Sequence, residues 1–179
     1  MLSGLRLAAG LLTVLPVGPP AVDRRTAARA MALAPVVGLL LGALAGGTAW
    51  VADVSGLGTT VAAVLAVGAL VLLTRGLHLD GLADTADGLG CGDRDRALQV
   101  MRASDIGPFG VVTVLLVVLV QVAALAEALG AGRGTVGIAV AVVTGRATLV
   151  WACRQGVPAA RPEGLGALVA GSVSTSVAC

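Results

Sequence analysis

The stretch AMALAPVVGLLLGALAGGTAWVA, residues 30–52, carries no charged side chain over 23 residues. At 1.5 Å per residue, a helix of that length crosses a hydrocarbon core of about 30 Å. Buried strands run only about four to eight residues, so length selects helix over strand. Lipid imposes the same choice, because backbone N–H and C=O groups must there be satisfied within the segment. Gly38, Gly42 and Gly46 fall at every fourth position and share one helix face. In a water-soluble helix each glycine would cost about 1 kcal/mol. In lipid the same spacing lets a neighbouring helix approach closely.

Outward from this stretch, Val54–Thr74 and Ile106–Ala126 are each uncharged over 21 residues, and Gly134–Cys153 is interrupted only by Arg146. The expected architecture is an all-α polytopic membrane bundle in a single domain, residues 1–179. Its spans fall at about 30–52, 54–74, 106–127 and 134–153. Trp50 and Trp151 lie near span ends, where an interfacial aromatic belt would put them. The first segment, Leu2–Val17, is short, contains Arg6 and runs into Pro16, Pro19 and Pro20. Prolines make a poor signal-cleavage region, so an uncleaved re-entrant or interfacial helix is expected there.

Composition agrees. Only 12% of residues are charged and 57% are hydrophobic, against about 25% charged in ordinary soluble domains. That leaves too little polar surface to cover a water-facing globule. It is also the opposite of a disordered composition. A net charge of +2 gives no polyanion-scale field, so nucleic acid is not an expected partner. The three cysteines, Cys91, Cys153 and Cys179, are widely spaced and form neither a disulfide framework nor a zinc pattern.

All twelve basic residues are arginine, and their placement orients the chain. Arg24, Arg25 and Arg29 precede the first span. Arg75, Arg94, Arg96 and Arg102 lie between the second and third. Arg154 and Arg161 follow the fourth, and only Arg133 falls on the opposite side. The positive-inside rule therefore puts the long 75–108 segment in the cytoplasm.

That segment holds six of the ten acidic residues: Asp80, Asp84, Asp87, Asp93, Asp95 and Asp105. Asp80, Asp84 and Asp87 are spaced i, i+4, i+7 and share a helix face. Three like charges on one face repel, and a divalent cation is the economical offset. All-oxygen carboxylate ligation points to Mg²⁺ or Mn²⁺ rather than zinc. Gly81, Gly88 and Gly90 beside them leave room for a bulky anionic substrate. Arg102 and Ser104, at the edge of the third span, present a cation and a hydroxyl suited to phosphate. Arg146 sits inside the fourth span, where a charge is costly and a functional role is the default reading. His78 is the lone histidine and a candidate substrate contact. Arg94 and Arg96 alternate with Asp93 and Asp95 as a solvated, self-paired turn. Carboxylate-held Mg²⁺ with nearby arginines suggests phosphoryl transfer, a carboxylate taking the proton from an attacking hydroxyl.

At HLDGLADTADGLG, residues 78–90, the chain resembles the cobalamin synthase family, the adenosylcobinamide-GDP ribazoletransferases. The resemblance extends through RDRALQVMRASDIGPFG and the later GRATLVWACR, and so covers nearly the whole chain. It implies the closing step of cobalamin assembly: α-ribazole, or its 5′-phosphate, attacks adenosylcobinamide-GDP and GMP leaves. Mg²⁺ dependence and a bacterial cytoplasmic-membrane location are implied as well. Carried over, Asp80, Asp84 and Asp87 would be catalytic and metal ligands. His78, Arg102, Ser104 and Arg146 would bind substrate. Membrane lipid is the expected surrounding, and a homo-oligomer is compatible with all of this.

Two departures stand out. Relatives commonly carry Asp and Arg near Ala103 and Asp105. Relatives also continue into further spans and a second Gly/Asp-rich motif, so the C-terminal part of the family pattern is expected to be missing here. The Asp84, Asp87, Gly88 core also resembles the CDP-alcohol phosphotransferases, whose pattern continues in a frame this chain lacks. A cation transporter or channel subunit is the reading from another class. It would call for carboxylates inside the spans rather than in one connecting segment.

Overall fold

A computed structural model describes residues 1–18 and 22–178; Pro19, Pro20, Ala21 and Cys179 lie outside the described residues. The described chain is all helical, without a β-strand, and one isolated bridge joins Arg154 and Val173. In chain order the helices are α1 (Leu2–Leu12), α2 (Arg24–Ala32), α3 (Ala34–Val54), α4 (Thr59–Leu73) and α5 (Leu77–Leu89). They continue with α6 (Arg94–Val100), α7 (Pro108–Gly130), α8 (Gly134–Ala152), α9 (Leu165–Val169) and α10 (Thr175–Ala178). Three of them, α3, α7 and α8, are long and apolar enough to cross a membrane. A fourth crossing requires α4 and α5 together, and that pair is bent by 87°. The helices gather into two compact units, Met1–Gly47 with Thr135–Cys179, and Thr48–Gly134.

In the first unit, the short apolar α1 buries Leu7, Ala8 and Leu12, and packs on α2. Asp23 opens α2 by accepting a hydrogen bond from the Thr26 amide at 2.6 Å. The carboxylate therefore satisfies a helix-end donor that has no partner within the helix. Leu33 interrupts the helix and α3 restarts at Ala34, beside Pro35. Proline lacks an N–H and so cannot carry the backbone hydrogen-bond ladder of α2 onward, and the expected long span begins only here.

Gly38, Gly42 and Gly46 of α3 face α8: a Cβ on each would meet Arg146, Ala139 and Thr135 respectively, within 3.2 Å. The four-residue glycine spacing thus does what small residues do between membrane helices. At the end of α8, Arg154 stacks over the Trp151 ring at 3.8 Å. Arg24 of α2 reaches the Ala170 carbonyl beyond α9 at 3.2 Å.

In the second unit, α7 receives both α4 and α5, and α6 packs on α5. The uncharged run expected to span from residue 54 yields a helix of only 15 residues. Gly56 and Gly58, both at positive φ, occupy its first turn as a connection instead. The α4 helix ends in a Schellman motif: Gly76 N donates to Val71 O at 2.8 Å and Arg75 N to Leu72 O at 3.2 Å. Arg75 takes the left-handed position at φ 55, and Gly76 follows at φ 68. Two successive left-handed residues turn the chain sharply into α5.

Candidate functional site

α5 carries four of the seven candidate residues. Asp80 lies in its first turn, where a negative charge suits the positive helix end, and it is exposed. His78 and Asp84 are half-buried. Asp87 is buried, 9% exposed, on the face turned toward α7.

The environment of Asp87 differs from that of the other two carboxylates. Gly107 N donates to Asp87 Oδ2 at 2.8 Å, and Gly110 N donates to Asp87 Oδ1 at 2.8 Å. These amides open α7, whose N-cap residue, Gly107, has no side chain to cap it; Pro108 follows at the first helical position. Asp87 therefore caps α7 from another helix. Two charge-assisted hydrogen bonds and the helix dipole meet the charge that a cation was expected to meet.

Both glycines are required by this fit. A Cβ on Gly107 would lie 2.5 Å from Asp87 Oδ1, and one on Gly110 would collide with Oδ2. The pairing leaves a single signal in the sequence: GPFG, residues 107–110, is a helix start with proline but no Ser, Thr, Asp or Asn to cap it.

Gly88 and Gly90 serve packing rather than substrate access. A Cβ on Gly88 would meet Met101 Cγ at 2.9 Å, and one on Gly90 would meet Phe109 Cδ2 at 2.9 Å. Only Gly81 of that trio faces open space, with nothing within 4 Å. Among the described residues, no three carboxylate, imidazole or thiol groups converge into a metal cage. Asp80 and Asp84, one turn apart, keep the all-oxygen donor chemistry suited to Mg²⁺, which often binds through one or two carboxylates plus substrate phosphates.

Arg102 and Ser104 are exposed on the segment between α6 and α7. The Asp87 bonds tie the downstream end of that segment, at Gly107, to α5. Asp93 caps α6 through the Arg96 amide at 3.0 Å, and Arg94 approaches Asp95 at 3.9 Å with both side chains in solvent. The expected self-paired turn is thus present, but its strongest bond is a helix cap.

Arg146 belongs to the other unit, on α8. It is half-buried, and its Nε is buried with no hydrogen-bond partner.

The family model described as cobalamin-5-phosphate synthase matches residues 4–179, a range that includes all seven candidate positions. A protein of Frankia casuarinae named adenosylcobinamide-GDP ribazoletransferase is 55% identical over 98% of this chain and 66% of its own length. Proteins of the same name from a Nocardioides species and from Bradyrhizobium diazoefficiens are 46% and 42% identical. They match over 97% and 99% of this chain, and over 75% and 69% of their own lengths. The chain thus spans about two thirds to three quarters of these curated relatives. No solved structure matches it.

Proposed function

Because this chain belongs to the cobalamin-5-phosphate synthase family, we propose that it joins α-ribazole, or α-ribazole 5′-phosphate, to adenosylcobinamide-GDP. A ribazole hydroxyl oxygen attacks the cobinamide-side phosphorus. The bond from that phosphorus to the diphosphate bridging oxygen breaks, and GMP leaves with that oxygen. The match across residues 4–179, motif helix included, is the observation that carries this reading.

The residues of this chain divide the work as follows. Asp80 and Asp84 would hold Mg²⁺ beside the substrate diphosphate. When bound, the ion neutralises charge on the transferring phosphate and the leaving group. One of the α5 carboxylates accepts the proton of the attacking hydroxyl. Arg102 and Ser104 contact phosphate or nucleotide, Arg102 through the fork geometry that suits phosphate oxygens. His78, two residues before Asp80 in the first turn of α5, is a substrate contact at the same helix end. Open space at Gly81 supports substrate entry beside Asp80.

The site is proposed to face the cytoplasm from the bacterial cytoplasmic membrane. The arginine distribution supports that orientation. Leu115, Leu116, Leu119 and Val120 are exposed on α7 and suit contact with acyl chains.

The test is an assay in membranes bearing the protein, supplied with adenosylcobinamide-GDP, α-ribazole and Mg²⁺, with GMP and cobalamin measured. Formation of both products, lost in Asp84→Asn, is expected. Unchanged product formation in Asp80→Asn and Asp84→Asn would defeat the assigned roles. Labelling of Cys91 in a variant with the other two cysteines replaced reads the orientation: modification only from outside would overturn it.

A further inference from the structure

We infer that Asp87 is a positioning residue that fixes the Arg102–Ser104 segment against α5, leaving Asp80 and Asp84 as the pair that holds the cation. The last clause rests on the metal-assisted reading above; the positioning role does not.

Both Asp87 oxygens accept backbone amides, Gly107 N and Gly110 N, each at 2.8 Å. The residues that donate are glycines, and a Cβ on either would run into the carboxylate. The helix they open has no side-chain cap of its own. A carboxylate so held has its charge met by fixed donors in a buried place, where an unpaired charge would be costly. Asp80 and Asp84 are more exposed than Asp87.

The position of the clamp gives it a function. Arg102 and Ser104 sit on a short connection whose downstream end is Gly107. Loop ends fray unless held, and a group that must meet a phosphate needs a fixed distance from the metal pair. Asp87 supplies that register by bonding α5 to the end of the same connection.

The experiment follows hydrogen exchange at Gly107 and Gly110 and Mn²⁺ binding by electron paramagnetic resonance, on the full chain in detergent or nanodiscs. Wild type is read with and without Mg²⁺. Asp87→Asn, Gly110→Ala and Asp84→Asn are read beside it, each with kcat and KM. Protection of the two amides is expected to stay constant when wild type is given Mg²⁺, because the carboxylate is not recruited away. Asp87→Asn and Gly110→Ala are expected to speed exchange there by roughly tenfold and to lower kcat, with Mn²⁺ affinity kept near wild type. Asp84→Asn should do the reverse: amides protected, Mn²⁺ affinity lower by roughly tenfold or more.

Loss of protection in wild type on adding Mg²⁺ would overturn the inference without any variant. So would loss of Mn²⁺ binding in Asp87→Asn with exchange unchanged. Failure of wild type to bind Mn²⁺ would remove the metal pair and the reading it rests on, while the exchange comparison would still decide the clamp.

Discussion

Gly42 of α3 lies directly against the backbone of Ala139 on α8: a methyl group placed on Gly42 would sit 2.8 Å from Ala139 Cα. Backbone cannot rotate aside as a flexible side chain can, so even alanine forces the helices apart. Overpacking of this kind costs about 1–3 kcal/mol. Gly47, five residues on, would have nothing within 4 Å of an added Cβ. Gly42→Ala is therefore expected to lower the unfolding midpoint in detergent. Gly47→Ala should be neutral or stabilising by up to about 1 kcal/mol, the helix-propensity gain of alanine over glycine. Equal behaviour of the two variants would show that the α3–α8 contact does not hold the first unit together.

The bend between α4 and α5 gives a second prediction. Gly76 has φ 68 and open space where a Cβ would go. Substitution there meets no neighbour, so its cost is purely that of the left-handed backbone, about 1–2 kcal/mol for a side-chain-bearing residue. Gly76→Val is expected to lower stability by that order and to increase protease cleavage near Arg75. Gly81→Ala, also in open space but within a helix, should leave stability intact. A Gly76→Val protein as stable as wild type would mean that the bend is not fixed by these dihedrals.

These two cases show what sequence could and could not carry. The spacing of Gly38, Gly42 and Gly46 is a property of one helix, so the close-packing face was legible. Its partner, α8, was not named by anything in the spacing. The run from Val54 to Thr74 read as one span because absence of charge marks lipid compatibility and not helix length. Gly56 and Gly58 were the overlooked signal, since positive φ at both takes the first turn out of the helix. At the site, the i, i+4, i+7 spacing correctly set Asp80, Asp84 and Asp87 along one helix. It could not tell that Asp87, rather than Asp80 or Asp84, would meet backbone amides. The donors at Gly107 and Gly110 lie 20 and 23 residues further on and exist only once α7 has formed.

The helix caps give a third prediction, with a pH dependence for one of them. Asp93 bonds the Arg96 amide at 3.0 Å, whereas the Arg94–Asp95 pair is 3.9 Å apart and solvated. Asp93→Ala should cost about 1 kcal/mol as a lost cap, and Arg94→Ala within about 0.5 kcal/mol of nothing. At Asp23 the hydrogen bonds from Thr26 hold the carboxyl below its ordinary value of 3.8. A depressed folded-state value means that the cap contributes fully above the unfolded value and is lost as pH falls through the folded one. The stability difference between wild type and Asp23→Asn should thus be constant above pH 3.8 and shrink or reverse on further acidification. Thermal melts of both proteins across that range check it; a difference independent of pH would refute the charged cap.

The fourth prediction separates two uses of Arg146. Its Nε is buried with no hydrogen-bond partner, inside a helix apolar enough to span a membrane, and its Cβ is 3.2 Å from where a Cβ on Gly38 would lie. A charge in that setting is expensive for the fold. Replacement of a buried charge by an apolar side chain of similar length is often neutral or stabilising when the charge serves structure alone. Arg146→Met is therefore expected to keep or raise the unfolding midpoint. If the guanidinium grips substrate phosphate, the same change should lower kcat/KM by roughly tenfold to a hundredfold, the loss of a charged hydrogen bond of about 1.5–3 kcal/mol. A lower midpoint with kcat/KM unchanged would mean that Arg146 holds the helices and not the substrate.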